Sequence, residues 1–309
     1  MLEIKTVDAE LIKNGTSYLV SDNKLTGTSL EVLSFMSSGI KKRTGSEYSD
    51  GRPGRINYHS EDEYRVITLL VQATAYDMQD AAHLRDAINE LFDGELMLRE
   101  MRIKSVEVEY ESMGQRTGEM QLESPEYVNG KQIKVAMVNS PEVDDTTLVS
   151  TFAVEFETTE SPYFETIYTT LELNDTGFDS TVEKYGLVDN IDDEKVQYRF
   201  TESNFTVYNA GNVTVEPESM MLNIHVNAVQ STNNFTIRNK TTGEEIILKR
   251  ASAGSHYRIQ GMVISLGSIT NIFRDTNRRF ISLLPGDNQF EILNGTFSEI
   301  RFEFKFLYK

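Results

Sequence analysis

The chain has 309 residues, and it contains no cysteine, no tryptophan and only 6 prolines. The absence of cysteine excludes disulfide bonds, thiolate metal sites and cysteine nucleophiles. No stretch reaches the roughly 18 consecutive apolar residues of a membrane-spanning helix, so the sequence predicts no membrane insertion. Basic residues are also scarce: 30 lysines and arginines stand against 48 acidic residues, a net charge of -18. This balance argues against a nucleic-acid-binding protein that relies on a broad basic surface.

The acidic residues are unevenly spread along the chain. Residues 1–198 contain 38 acidic and 18 basic residues, a net charge of -20, whereas residues 199–309 contain 10 and 12, a net charge of +2. At about 150 residues per domain, the length predicts two domains. We therefore expect an N-terminal domain at 1–165, an acidic connector rich in turn-forming residues at 166–198 and a C-terminal domain at 199–309.

One segment of the N-terminal half is basic. Residues 41–55 contain five basic and two acidic residues with three glycines and a proline, which predicts a long basic loop. Two interpretations are open: a solvated surface loop, or a loop that contacts an acidic neighbouring protein. The candidate contact residues are Lys41, Lys42, Arg43, Arg52 and Arg55.

Alternation of apolar and polar residues with a period of two dominates the sequence and predicts antiparallel strands with one buried face. In 151–157, the apolar face consists of Phe152, Val154 and Phe156. At the C-terminus, one isoleucine and three phenylalanines occupy the alternate positions 300, 302, 304 and 306. After residue 199, a β-sandwich or jelly roll is predicted, with strands at 204–208, 221–226, 234–238, 245–249, 256–260, 280–284 and 290–293.

A single amphipathic helix is predicted in the N-terminal domain. Asp77 is suited to cap its start and Gly94 to end it. Between them the apolar residues recur at helical spacing, at Ala81, Leu84, Ile88, Leu91 and Phe92. We expect this stripe to pack onto a sheet.

No catalytic motif emerges from the sequence. It has no phosphate-binding P-loop, no G-x-S-x-G motif and no H-E-x-x-H motif around its 4 histidines. Glu107, Glu109 and Glu111 alternate along one predicted strand, but any exposed strand of so acidic a domain has this pattern, so a glycosidase pair is disfavoured. The start of the chain also lacks the basic and apolar regions of a signal peptide. We expect no enzymatic activity, no cofactor, no bound metal and no export.

Several segments, in order, resemble one protein family. FETTESPYFETI at 156–167 resembles the end of the first domain of the distal tail proteins of long-tailed (siphovirus-type) phages, especially those that infect staphylococci and related Gram-positive bacteria. FTVYNAGNVTVEP at 205–217 resembles the first strand of the family's second domain, and NFTIRNKTTG at 234–243 its following strand and turn. LPGDN at 284–288 and FEFKFLY at 302–308 are similar to its C-terminal signature, and the helix at 77–94 lies where the first domain has its helix.

This resemblance implies a mainly β protein of two domains. The first is a β-sandwich-like, ring-forming domain with one α-helix, and the second is a galectin-like or jelly-roll β-sandwich. The implied function is a structural hub at the distal end of the virion tail, assembled in the host cytoplasm as a homo-oligomeric, hexameric ring. The implied partners are the tail tube protein, the tail-associated lysin or the receptor-binding and baseplate proteins, and the tape measure protein, with DNA only as cargo in the channel.

Two other functions remain as alternatives to the hub. A carbohydrate-binding module that contacts the host cell wall would need exposed aromatic faces, which Tyr208, Tyr257 and Phe273 could supply in the absence of tryptophan. A cell-wall hydrolase would need the catalytic carboxylates that the sequence does not single out. We rank the hub first, the sugar-binding protein second and the enzyme third.

Overall fold

The computed structural model describes residues 7–48, 53–103, 107–109, 121–123, 126–269 and 271–309. The chain divides into two units, Met1–Phe164 and Glu165–Lys309. With this division the first unit has 29 acidic and 16 basic residues, a net charge of -13, and the second has 19 and 14, a net charge of -5. Both units are therefore acidic, and their net charges differ less than the -20 and +2 obtained with a division at residue 199.

The first unit is built around an antiparallel sheet in which seven strands follow one another in the order β2-β1-β7-β10-β11-β6-β3. Strand β3 packs near β1, so the sheet curves back on itself. Two further strand pairs, β4–β5 and β8–β9, form sheets of their own. The strands are β1 (Val7–Lys13), β2 (Thr16–Leu19), β3 (Leu30–Ser37), β4 (Lys41–Tyr48), β5 (Arg55–Tyr64), β6 (Val66–Thr74), β7 (Glu95–Ile103), β8 (Glu107–Glu109), β9 (Gln121–Glu123), β10 (Glu126–Met137) and β11 (Val149–Thr158).

The predicted helix is confirmed as α1 (Met78–Phe92). Its N-cap is Asp77, whose Oδ1 accepts hydrogen bonds from the backbone N–H groups of Gln79 and Asp80 at 2.9 and 2.8 Å. The buried residues of α1 are the five that the spacing predicted, and Gly94 follows the helix with a φ of 84°. Likewise, Phe152, Val154 and Phe156 of β11 are buried in the same core. These elements were predictable because each has a single buried face with a regular period.

The second unit contains two facing antiparallel sheets, in the orders β13-β21-β15-β18-β19 and β14-β20-β16-β17. Phe302 of β21 lies 4.8 Å from Phe290 of β20 and 5.8 Å from Phe205 of β14, measured between ring centroids, so aromatic side chains fill the space between the sheets. The strands are β13 (Arg199–Phe200), β14 (Asn204–Asn209), β15 (Leu222–Ser231), β16 (Phe235–Asn239), β17 (Glu244–Leu248), β18 (Ser252–Gln260), β19 (Val263–Leu266), β20 (Gly286–Leu293), β21 (Glu299–Phe304) and β22 (Leu307–Tyr308). The mainly β fold and the C-terminal β-sandwich are confirmed.

The segment 166–198, expected as a connector, lies within the second unit. After the boundary strand β12 (Phe164–Thr166) it forms α2 (Thr170–Thr176), α3 (Phe178–Tyr185) and a short 3-10 turn at Asp193–Lys195. Thr169 caps α2, and glycines with positive φ end both helices. The side chains of Tyr168, Leu173, Val188 and Tyr198 are buried. Such widely spaced apolar residues among turn-forming ones give no regular period, which explains why the sequence indicated a connector.

The predicted strand at 280–284 is not a regular strand, although Leu283 forms an isolated bridge with Val215. The backbone of Leu283 exchanges hydrogen bonds with that of Val215, whereas side chains satisfy the backbone of Ser282. The carboxylate of Glu244 accepts a hydrogen bond from the backbone N–H of Ser282 at 2.8 Å, and the side-chain amide of Asn239 donates to the carbonyl of Ser282 at 2.9 Å. An alternating pattern therefore led to a strand that the backbone does not form.

Candidate functional surfaces

The predicted basic loop at 41–55 is wrong in its conformation, because Lys41, Lys42 and Arg43 belong to strand β4 and Arg55 begins strand β5. The two strands pair in an antiparallel hairpin, which we call the β4–β5 hairpin. Arg52 lies outside the described residues, as does the side chain of Arg55. The glycines and the proline indicated a loop because these residues are common in turns. The pairing of β4 depends on residues 55–64, nearly all of which lie beyond that segment.

Within the β4–β5 hairpin, acidic and aromatic residues of β5 face the basic residues of β4. Lys41 Nζ donates to Tyr64 Oη at 2.7 Å, and this hydrogen bond raises the pKa of Lys41. Lys42 Nζ lies 3.4 Å from an Asp62 carboxylate oxygen, and Arg43 lies opposite Glu61 in the register. Residues 41–64 contain five basic and five acidic residues, so the hairpin has no formal net charge. The segment 41–55 alone does not show this charge balance, because three of the five acidic residues, Glu61, Asp62 and Glu63, lie beyond it.

The β4–β5 hairpin is exposed on both faces. From Lys41 to Glu47 every side chain is exposed except at Gly45, which is half-buried, and Tyr58 of β5 is 63% exposed. A two-stranded hairpin without a third strand or a packed face is at best marginally stable in water. Over 41–47 and 56–61 the hairpin therefore has no packed face of its own.

The three aromatic residues predicted for sugar stacking differ in how far their rings are exposed. Tyr257 is fully buried, with its ring 6.3 Å from that of Phe235, so it is wrong as a stacking residue. Tyr208 is half-buried, and its hydroxyl donates to the carbonyl of Asn190 at 2.8 Å while Lys195 Nζ lies 4.7 Å above its ring. Phe273 is half-buried and lines a cleft.

That cleft in the second unit has a volume of about 700 Å³, and we call it the Phe273 cleft. Phe273 and Phe280 stack in it, with ring centroids 5.6 Å apart and an angle of 14° between the rings. Eleven of the described residues line it, and five of these are charged: Glu216, Glu218, Glu244, Arg278 and Arg279. The motif FRDTNRRF at 273–280, with three arginines between two phenylalanines, is a sequence signal that could have indicated this site.

The polar groups of the Phe273 cleft differ in how they are held. Oε2 of Glu244 accepts hydrogen bonds from Ser282 N at 2.8 Å, from Ser282 Oγ at 2.7 Å and from Thr242 Oγ1 at 3.0 Å. Arg278 and Arg279 are exposed, and neither guanidinium has an ion-pair partner within 4.0 Å in the described part of the chain. The cleft thus combines a rigidly oriented carboxylate with two guanidinium groups that are available to a ligand.

Within the described ranges, no cluster of three or more His, Asp and Glu side chains is arranged to hold a metal ion. Nor is any described helix long and apolar enough to cross a membrane.

The fold is similar to that of SPP1 Dit (gp 19.1), a protein described as a paradigm of the hub adsorption apparatus in phages that infect Gram-positive bacteria. The superposition has a TM-score of 0.59 and covers 96% of this chain and 99% of that chain at 11% sequence identity. The chain has the fold of a phage hub protein. The fold that the sequence resemblance implied is thereby confirmed, whereas the expected closeness to staphylococcal phages stays a prediction.

Two structures of the phage p2 baseplate in its activated conformation contain chains that are more weakly similar to this chain. In the structure with Sr, the match covers 97% of this chain and 97% of that chain, at 10% identity and a TM-score of 0.40. In the structure with Ca, it covers 97% of this chain and 98% of that chain, also at 10% identity and a TM-score of 0.40. A TM-score this low adds nothing to the assignment. No protein-family model and no curated protein matches the sequence.

Proposed function

We propose that this protein is a structural hub at the distal end of a phage tail. The observation that carries the proposal is the match to a hub protein across nearly the whole of both chains, with both units included. In this proposal the subunits form a closed homo-oligomeric ring, a hexamer, that joins the tail tube to the tail-associated lysin or receptor-binding proteins. The tape measure protein is a further proposed partner, and the proposed place of assembly is the host cytoplasm.

The exposed apolar side chains of the first unit support an interface between subunits. Tyr76 is 91% exposed, Met78 52%, Leu148 44% and Val149 52%. These residues come from two neighbouring segments, since Ala75 N donates to the carbonyl of Leu148 at 2.8 Å. Grouped exposed apolar residues of this size are typical of protein–protein contacts. In a ring with rotational symmetry, such a patch contacts a different patch of the next subunit until the ring closes.

The β4–β5 hairpin is the second proposed contact element. Lys42 is paired with Asp62 of its own chain, whereas Arg43 has no ion pair with a described residue. Among Lys41, Lys42 and Arg43, the members of the basic set whose side chains the structure describes, Arg43 is therefore the most available to an acidic neighbour.

The net charge agrees with DNA as cargo rather than as a bound partner. Six copies of the first unit would bring 6 × -13 charges together. An acidic channel wall offers few basic groups to phosphates, so DNA would pass without being held by counterion release.

Native mass spectrometry and negative-stain electron microscopy of the purified full-length chain test the ring. The 35.1 kDa chain should form rings of six subunits, and the double variant Tyr76→Ser with Met78→Ser should shift the population to smaller species. The matched control is Met262→Ser with Val263→Ser, which removes two comparably exposed apolar residues from the second unit. A monomer only, even when the chain is co-expressed with the other tail proteins of its particle, contradicts the proposal.

The hairpin contact is tested separately by particle yield. Arg43→Ser should reduce the number of assembled tails more than Lys42→Ser does, because Lys42 is already paired with Asp62 whereas Arg43 has no ion pair with a described residue. The combined change of Lys41, Lys42, Arg43, Arg52 and Arg55 to Ser should reduce it further. An unchanged yield from the combined variant refutes the contact role of these residues.

A further inference from the structure

We propose that the Phe273 cleft is a binding site for a neutral saccharide. A volume of about 700 Å³ falls within the range of small-ligand sites, roughly 300–1,000 Å³. All lining residues belong to the second unit, so this site does not depend on ring formation. The aromatic pair, the fixed carboxylate and the free guanidinium groups each match one part of a sugar.

The stacked pair of Phe273 and Phe280 provides an aromatic surface at the cleft. Both rings are half-buried, so each keeps a part that is open to solvent. The face of an aromatic ring carries partial negative charge and attracts the electropositive C–H groups of a pyranose ring. The parallel stacking of the two rings also keeps Phe273 in one orientation before a ligand arrives.

Glu244 supplies an oriented acceptor. Three donors engage its Oε2, which holds the carboxylate plane and leaves Oε1 with no protein donor within the described residues. An ionised carboxylate only accepts hydrogen bonds, so Oε1 can accept from a sugar hydroxyl. Arg279 only donates, and its guanidinium fork can reach two neighbouring hydroxyl oxygens.

The charge of the Phe273 cleft favours a neutral ligand over a phosphorylated one. Three carboxylates stand beside two guanidinium groups, so the local charge is not positive, and a phosphate polymer would be repelled as much as attracted. A hydroxyl both donates and accepts, and it can therefore use both kinds of charged group. A protein partner is less suited to the cleft, because glutamate is depleted at protein interfaces and three glutamates line the cleft.

Saturation-transfer NMR with the full-length protein tests the proposal, with chitotriose, maltotriose and lactose as neutral probes and glycerol 3-phosphate as the anionic comparator. At least one neutral saccharide should show saturation transfer from the unmodified protein. Its dissociation constant should be at least tenfold higher in both Phe273→Ala and Arg279→Ala. The control is Arg274→Ala, which removes an exposed arginine of the same segment that does not line the cleft and should bind as the unmodified chain does.

Arg279→Ala keeps the test valid if Phe273→Ala misfolds, because Arg279 is exposed and its removal leaves the aromatic pair intact. Circular dichroism reports the fold of each variant. The proposal is overturned if no neutral saccharide shows transfer, if only glycerol 3-phosphate binds, or if Arg279→Ala binds as tightly as Arg274→Ala.

Discussion

Thr170 ties the segment that the sequence indicated as a connector to the C-terminal strand β21. Its side chain is buried, its hydroxyl donates to the carbonyl of Phe302 at 2.8 Å, and it accepts from the backbone N–H of Phe304 at 3.1 Å. Strand β13 is only two residues long and pairs with β21 at residues 300 and 301, so these groups of β21 have no strand partner on that side. The hydroxyl at the start of α2 takes the place of that missing strand.

Thr170→Val keeps the shape of the side chain but removes both hydrogen bonds. It leaves one buried carbonyl and one buried N–H without a partner, at about 1–3 kcal/mol each. We therefore expect the free energy of unfolding of the second unit to fall by about 2–6 kcal/mol, a large part of a typical total of about 5–15 kcal/mol. Were the segment 166–198 a detached connector, the same substitution would have almost no effect.

Urea unfolding measures this effect through the fluorescence of the 14 tyrosines, since the chain has no tryptophan. Backbone hydrogen exchange at Phe304 provides a local readout and should become faster in the variant. The matched control is Thr206→Val in β14, which makes the same chemical change at an exposed position. If the two variants differ by less than about 0.5 kcal/mol, the size of an ordinary surface effect, and Phe304 exchanges at the original rate, the reasoning is refuted.

Three further predictions concern single side chains, each measured by unfolding of the full-length chain. The hydroxyl of Tyr257 is buried without a partner among the described residues, so Tyr257→Phe should stabilise the fold by about 1 kcal/mol. Tyr198→Phe loses a hydrogen bond to the carbonyl of Tyr208 at 2.9 Å and should destabilise it by about 1 kcal/mol. Equal effects of the two variants contradict this prediction. Asp77→Ala should cost about 1 kcal/mol through the loss of the α1 cap, and Asp93→Ala at the other helix end should cost nothing. Burial lowers the pKa of His225, so the unfolded chain binds a proton at this side chain more readily than the folded chain does. The free energy of unfolding therefore falls as the pH drops through about 6.5. His225→Gln should lose less of this free energy between pH 7 and about 5.5, and an identical loss in both chains rules the prediction out.

The elements that were predictable from the sequence have a regular period and a local cap. Helix α1 could be assigned from Asp77, its apolar stripe and Gly94, all within one continuous segment. Strands β11 and β21 could be assigned because alternate residues enter a core. Such patterns show which face of an element is buried but not which element covers it.

The candidate surfaces were harder to predict because their residues are distant in the chain. Asp62, which pairs with Lys42, and Glu61, which lies opposite Arg43 in the register, are on the far strand of the β4–β5 hairpin. The fixed orientation of Glu244 comes from Ser282, 38 residues later. Tyr257 was assigned to an exposed face although β18 turns it into the core, since the alternation in this strand does not reveal which face points inward.

By itself the sequence determined the absence of thiol chemistry, the mainly β character with one regular helix, and the acidic balance, because these depend on composition and on local periodicity. Only the tertiary structure decided where the units divide, since Thr170 and Phe302 are 132 residues apart and no local pattern links them. It likewise decided that the basic segment is half of a neutral hairpin and that two phenylalanines, a carboxylate and two guanidinium groups meet in one cleft. Strand pairing and side-chain hydrogen bonds bring these distant residues together. The strand register that allows this depends on which faces the whole core buries, so no single segment determines it.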